Sequence, residues 1–403
     1  MGKIKLKAKQ LEYGDAVVII GAGAAGIAAA ISAAHLRKNI FLIEATATLG
    51  GTVTQTLIHT LGGFYDSSGE FINKGLSVEL VDRLLQASPL TRMRKIGRMW
   101  TLSVCPEVYA TVVESWIREE SNIKVFYNGR VTRIVTKDRR VRSIEFINQG
   151  GIITVWPSAV IDTTGNAAVI RLFDHRLTVD AWRELGAGLI FQMRGVKSEA
   201  LKFPKNIELV RTIQQAAEKG ILPRQCALVW VDIGVHEDEA YVKLSVSLNG
   251  NWHSPGEMEK ITQRALALRD ELVPFLKRFQ SFSEATVTRT GKLGIRGGDR
   301  VKGEYCLTEE DVRSGRKFPD PACRCCWPIE YWDPDKGVSI EHLPVDTYYE
   351  IPLRSLKVQG IENLWVAGKS FSADIRAQAS ARVVGSCWSM GEATAKAAVR
   401  LRH

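Results

Sequence analysis

Gly21-Ala22-Gly23-Ala24-Ala25-Gly26 offers the plainest chemistry in this 403-residue chain. It follows a β-branched run, Val17-Val18-Ile19-Ile20, and opens an Ala-rich stretch, so the spacing predicts strand, tight turn and helix. Gly21 permits the turn, Gly23 lets the backbone approach a pyrophosphate, and Gly26 lets helix and strand pack closely. Ala24 and Ala25 lie where a helix N-terminus turns free N–H groups and partial positive charge toward phosphates. A second strand, Asn39-Ile40-Phe41-Leu42-Ile43, ends at Glu44, whose carboxylate can accept ribose hydroxyls and would repel a 2′-phosphate. The pattern reads as a dinucleotide site.

Ala45-Thr46-Ala47-Thr48-Leu49-Gly50-Gly51-Thr52 follows that acid. A glycine pair here resembles the flavoproteins with the two-dinucleotide-binding-domain fold typified by glutathione reductase. In that group the pair and Thr52 would run beneath the FAD pyrophosphate, and an NAD fingerprint usually lacks the pair. Ala159 to Ala167 is an apolar strand ending at Thr163-Thr164-Gly165, similar to the A-T-G motif of FAD enzymes. Val131, just past Gly129, falls where the family contacts the adenine region. Asn363 to Lys369 enters another glycine turn, and a helical stretch from about Ala381 to Leu401 resembles the motif that caps the isoalloxazine. Gly368, Lys369, Arg382 and Val383 belong to that segment, with Lys369 standing where relatives commonly carry an acid.

Further runs recur in order with a broad group of bacterial FAD-dependent oxidoreductases: Gly303-Glu304-Tyr305, Leu307 to Val312, Gly315 to Phe318, Tyr349 to Arg354, and Ser380 to Val383. Where that group commonly has an Arg-Glu-Ser/Thr-Arg-Arg-like run, this chain has Arg296-Gly297-Gly298-Asp299-Arg300, matching it at Arg296 and Arg300 only. The resemblance implies non-covalently held FAD, although His59 or a cysteine could serve as an attachment point. It does not specify the reaction.

A flavin does hydride chemistry itself, leaving the protein to position substrate and manage protons. The resemblance puts His59, after the glycine pair, within reach of the flavin ring, where an imidazole titrating near neutrality can act as base. Arg296, in a glycine-rich approach, can clamp a carboxylate or stabilise an anionic flavin. His342 and Tyr348, with Tyr349, flank an acid-rich loop and are further candidates to face substrate. Arg376 and Arg382 bracket the last helix start, where a cation calls for an anionic partner. For each of these the plain alternative is a structural or solvated side chain.

Cys323-Arg324-Cys325-Cys326 invites a metal or redox reading, but its spacing matches no paired C-x-x-C unit, so the expectation is structural or substrate-lining thiols and no metal. Arg92-Met93-Arg94-Lys95 and the basic residues from Arg130 to Arg142 read as solvated charge; nucleic acid is not favoured as a partner. Seven unevenly spaced cysteines do not suggest a disulfide framework, and the basic start lacks a signal-peptide core, so a reducing cytoplasm is the default reading. Ala16 to Leu36 lacks Asp, Glu, Lys and Arg, yet its glycines argue for strand, turn and helix rather than a membrane span.

The elements that must hold these residues define an α/β chain. A Rossmann-like FAD-binding domain of glutathione-reductase type carries an inserted β-rich α+β substrate or cap domain. The expected divisions are 14–176 for the first cofactor part, including a β-meander over 124–157; 177–290 for the cap; 291–345 for a segment near the flavin; and 346–403 for the second cofactor part. Within the cap, strands are expected at Leu189 to Met193, Ala227 to Val235 and Tyr241 to Leu248, then a helix from Pro255 to Phe279. The alternating Lys3, Lys5, Lys7 and Lys9 suggest an edge strand or loose tail. A formal net charge of +10, from 54 basic and 44 acidic residues, leaves three anionic partners open by composition: nucleic acid, a membrane surface and small acids. The motifs favour the last.

The resulting expectation is an FAD-dependent oxidoreductase taking hydride from a small polar metabolite of anionic character, with the electron acceptor open and a homo-oligomer compatible with the sequence. Alternatives are an FAD-dependent monooxygenase reduced by NAD(P)H and, in another class, a flavin-containing RNA-modifying or binding protein.

Overall fold

The computed structural model of the chain describes residues 8–10, 16–180, 186–248, 252–333 and 336–400. Lys3, Lys5 and Lys7 and the expected outer bounds of the cofactor domain, 14 and 403, lie outside them.

Strand Ala16–Ile20 is buried along its whole length because it is the middle of a five-stranded parallel sheet. Its β-branched residues face packed elements on both sides, as parallel strands require. From edge to edge the strands are Leu364–Val366, Pro157–Asp162, Ala16–Ile20, Ile40–Ile43 and Ile123–Phe126. The helix Ala24–His35 lies against this sheet and against the C-terminal helix Val384–Arg400. The apolar stretch from Ala16 is therefore strand, turn and core helix, and no helix among the described residues is long and apolar enough to cross a membrane.

One expected element is corrected. The meander is Arg130–Lys137, Arg140–Asn148 and Gly151–Val155, with Ala8–Gln10 added along its edge. Residues 124–126, counted within it, instead belong to the strand Ile123–Phe126, which pairs with Ile40–Ile43, its Phe126 carbonyl accepting from the Glu44 amide. Phe126 fills the space between Phe41 and Phe146, whose rings lie 5.5 and 4.9 Å away, and this packing joins the two sheets.

A second buried core lies within residues 187–285. Strands Trp230–Ile233, Glu239–Val246, Ala187–Arg194 and Thr286–Thr290 form an antiparallel sheet in that order. Alternation turns Ala187, Leu189, Phe191 and Met193, with Ala240, Val242, Leu244 and Val246, toward helices Lys205–Glu218 and Pro255–Leu276. The opposite face, with Gln192, Asp232, Tyr241, Lys243 and Ser245, is turned to the cofactor fold. The long helix ends three residues before the expected Phe279, in a turn where the Phe279 amide bonds the Leu276 carbonyl.

Strand Pro321–Cys325 pairs with Tyr349–Pro352 and buries Cys323 and Cys325, and all seven cysteines are free thiols. The single grouping of metal-ligating side chains among the described residues, Asp180, His253 and Asp299, contains no cysteine and is bridged by the Arg171 guanidinium.

Candidate cofactor and substrate site

The nucleotide cradle is built where three strand ends meet. A side chain at Gly26 would put its first carbon 1.8 Å from the Gly21 carbonyl, so only glycine lets the helix sit this close to the strand. Gly51, with φ +52°, brings the glycine pair against the fingerprint loop, 2.8 Å from the Gly23 Cα if it bore a Cβ. A Cβ on Gly23 itself would meet nothing nearer than 3.9 Å, so the loop leaves open space there. The helix has Gly23 as its N-cap, with no side-chain acceptor and no acid in the first turn. Its leading amides, those of Ala24 and Ala25 included, thus have no intrahelical acceptor and face that space with uncancelled positive potential.

Glu44 is buried and tied in place. Its Oε2 accepts from the Ala22 amide at 2.7 Å, while Oε1 accepts from the Thr46 amide and hydroxyl at 2.9 and 2.8 Å. A carboxylate offers about four acceptor positions, so capacity remains for a sugar hydroxyl. Ala45, next in the chain, is exposed, and Thr52 starts the short helix Thr52–Gln55. The Gly129 amide bonds the Glu44 carbonyl at 2.8 Å, which brings the start of the meander strand, and so Val131, beside the same acid. Fully buried Asp162 accepts from the Thr164 amide and hydroxyl at 2.9 and 2.6 Å and shapes the turn through Gly165. Lys369 crosses that turn and donates to the Ile295 carbonyl at 2.6 Å. Withdrawal from water and the nearby Arg382 bring its ammonium pKa down to about 8. Gly368 abuts Ala25 of the fingerprint helix, and Val383 abuts Gly63. The expected helical stretch from about Ala381 is the helix Val384–Arg400, and a separate helix, Ile375–Ala381, precedes it, parted from it at Arg382 and Val383.

On the substrate side, His59 is fully buried and stacked on Tyr241, ring centroids 3.7 Å apart at 12°. Its Nε2 faces Asp232 Oδ2 at 3.4 Å, and neither ring nitrogen makes a well-formed hydrogen bond. Burial outweighs the pull of Asp232 and lowers the imidazole pKa to about 4, so it is neutral at neutral pH. Burial alone would raise Asp232, but the neighbouring His59 and the Lys243 and Arg94 charges hold it far below the usual carboxylate range. Arg296 donates to the Ala187 carbonyl at 2.6 Å and the Ser245 hydroxyl at 3.3 Å, with Trp332 4.0 Å from its guanidinium. Burial and Arg382 lower its pKa to about 9.

The glycines, Glu44, the Thr164–Gly165 turn, Gly368 and Lys369 thus converge, and Arg296 joins Arg382 at their edge. His342 and Tyr348 do not join them. His342 is exposed near Arg98, and Tyr348 lies under Lys317 and Arg324, at 3.4 and 4.9 Å from its ring. Among the described residues, no hydrogen bond, ion pair or ring contact links either to the cradle or to His59. Arg376 finds its anions inside the protein, on Glu341 and Glu309.

The FAD dependent oxidoreductase family model matches residues 16–402. The chain belongs to that family. Solved structures agree in fold. A geranylgeranyl bacteriochlorophyll reductase-like protein from Thermoplasma acidophilum, 12% identical, superposes with a TM-score of 0.52 over 97% of this chain and 79% of its own. A triple mutant of the flavin-dependent brominase Bmp2, also 12% identical, gives 0.50 over 96% and 80%. No curated protein matches the chain significantly.

FAD is therefore the cofactor of this oxidoreductase, and the cradle fits it. The open space at Gly23 and the unclaimed amides suit a pyrophosphate, Glu44 suits a ribose, and Lys369 adds a cation beside the Thr164–Gly165 turn. Sequence reading passed over Asp232, Lys243, Glu330 and Trp332. A signal for one of these existed: in Glu239-Ala240-Tyr241-Val242-Lys243-Leu244-Ser245-Val246, the polar positions alternate with apolar ones and define a second working face that includes Lys243.

Proposed function

We propose that this FAD-dependent oxidoreductase takes hydride from a small polar, anionic metabolite held between the cap sheet and the cofactor fold. The observation that carries the reading is the two-sidedness of the cap sheet. One face packs mainly apolar side chains, while the face toward the cofactor fold bears Gln192, Asp232, Tyr241, Lys243 and Ser245 beside Ile190. A lipid or large apolar substrate would find little apolar surface on this polar face, whereas a polar metabolite can add hydrogen bonds to it. Cations dominate the seam, where Arg94, Lys243, Arg296, Arg382 and Lys369 face Asp232 and Glu330. That imbalance favours an anion.

FAD, when bound, supplies the two-electron acceptor. The chain's own residues position substrate, exclude water and take the proton. Arg296 and Lys243 draw the anion to the seam. His59 is the proposed proton acceptor: burial keeps it neutral, and Asp232 on the Nε2 side leaves Nδ1 as its basic atom. Because His59 has no exposed surface, proton transfer to it requires the Tyr241 stack to loosen when substrate enters.

The test is anaerobic mixing of the purified yellow protein with a metabolite panel, reading loss of the visible flavin absorbance. Bleaching by a small acid supports the proposal. Bleaching by NADPH alone sinks it in favour of a monooxygenase, and salt-sensitive retention of RNA without any bleaching points to the third reading.

A further inference from the structure

Arg296 and Arg382 both meet the strand Ile329–Asp333, where Trp332 lies 4.0 Å from the Arg296 guanidinium and the Glu330 carbonyl accepts from Arg382, yet among the described residues neither arginine has a carboxylate partner. The charge of Arg382 adds to burial in lowering the Arg296 pKa. Arg296 bonds only a carbonyl and a hydroxyl, leaving most of its N–H groups unused. Arg382 donates through Nη2 to the Glu330 carbonyl at 3.3 Å, and its buried Nε has no partner. Among the described residues neither arginine makes an ion pair.

The nearest acid does not fill that role. The Glu330 carboxylate is held by two indoles, accepting from Trp327 Nε1 at 2.9 Å and Trp332 Nε1 at 2.6 Å. Trp332 also covers one face of the Arg296 guanidinium, which leaves its hydrogen-bonding edge as the working surface. Both arginines are largely drawn from water while each residue keeps some accessible surface. Unpaired guanidinium groups drawn from water are costly unless an anion completes them.

We propose that Arg296 and Arg382 form a receptor for one carboxylate of the substrate, an inference that rests on the function proposed above and narrows its substrate class to carboxylic acids. Planar forks suit both carboxylate and phosphate. Glu330 favours the carboxylate, because a phosphate dianion would set twice the charge against it. Room for the Arg296 fork comes from Gly188 on the cap strand, where an added Cβ would lie 2.9 Å from Nη2.

The experiment titrates the FAD-loaded enzyme with acetate, benzoate, oxalate and inorganic phosphate, following flavin absorbance and calorimetric heat. Wild type should bind a carboxylate more tightly than phosphate. Arg296→Met and Arg382→Met should each weaken that binding at least tenfold, and Gly188→Ala should weaken it without removing any charge. FAD content should match wild type throughout. Unchanged carboxylate affinity in both arginine variants would overturn the proposal. So would tighter binding of phosphate, failure of every carboxylate to bind, or loss of FAD from the arginine variants, which would assign the pair to the cofactor. Arginine-dependent carboxylate binding without reduction by any acid would leave this site standing while the hydride reading fails. Reduction by a small acid at equal rates in wild type, Arg296→Met and Arg382→Met would do the reverse.

Discussion

Arg94 Nη2 bonds both carboxylate oxygens of Asp232, at 2.9 and 3.0 Å, across the seam between cofactor fold and cap sheet. His59 and Lys243 approach the same carboxylate at 3.4 and 3.8 Å, so a single anion neutralises groups from both sides. Breaking such a pair from one side leaves buried charge uncompensated. Asp232→Asn is therefore expected to destabilise the protein by about 3 kcal/mol. Denaturant unfolding would show this as a lower midpoint at an unchanged slope. A midpoint equal to wild type would mean that the seam does not depend on this anion.

His59 links stability to pH with a definite sign. Its pKa is about 4 in the fold against an ordinary value of 6.5, so as pH falls the unfolded chain binds the extra proton first. Folding carries no such cost above pH 6.5, and the cost grows as pH falls toward 4, reaching up to about 3 kcal/mol. His59→Gln should flatten the stability profile across that window relative to wild type. The same substitution should slow substrate reduction of the flavin by about a hundredfold if His59 takes the proton. A full rate in the variant would remove His59 from the chemistry while leaving its pH signature intact.

How much of the molecule is legible in the sequence depends on where the information lies along the chain. The cradle follows from local spacing: a β-branched strand, three glycines, Glu44 some twenty residues on. Its parts are fixed by backbone geometry, which neighbouring residues dictate. The substrate side depends on pairing between distant strands. Asp232 has no meaning near Trp230 or Ile233 alone, and gains one only where the cap sheet brings it to Arg94 and His59. His342 and Tyr348 suit a substrate site by residue type, but their loop is turned toward Arg98, Lys317 and Arg324 instead. Ile123–Phe126 alternates like a meander strand, and a four-residue edge strand carries too few residues to reveal that its partner lies in the parallel sheet.

Two glycines in the fingerprint should fail in different ways. At Gly26 a methyl group would collide with the Gly21 carbonyl at 1.8 Å, and backbone cannot move aside cheaply. Gly26→Ala should therefore lower stability as well as FAD content. At Gly23 a methyl finds no protein atom nearer than 3.9 Å but enters the space proposed for the pyrophosphate. Gly23→Ala should keep near-wild-type stability as apoprotein and lose FAD affinity at least tenfold. Comparing apoprotein melting with FAD titration separates the two; equal FAD affinity in Gly23→Ala would mean that this loop does not touch the phosphates.

Lys369 puts a titratable cation beside the Thr164–Gly165 turn, and its pKa of about 8 falls within the stable range of most proteins. As a base, it is charged below that value and neutral above it. Anion attraction at the Thr164–Gly165 turn should therefore weaken as pH rises past about 8, and bound FAD, by stabilising the ammonium, should move the transition upward. Lys369→Met should bind FAD about tenfold more weakly at pH 7, equivalent to about 1.4 kcal/mol, and should lose the alkaline dependence. Fluorescence titration of apoprotein with FAD from pH 7 to about 9.5 measures both, across the window in which the lysine discharges. If wild type and variant fall together over that range, the pH response belongs to another group, and Lys369 serves only to hold the Ile295 carbonyl beside the turn.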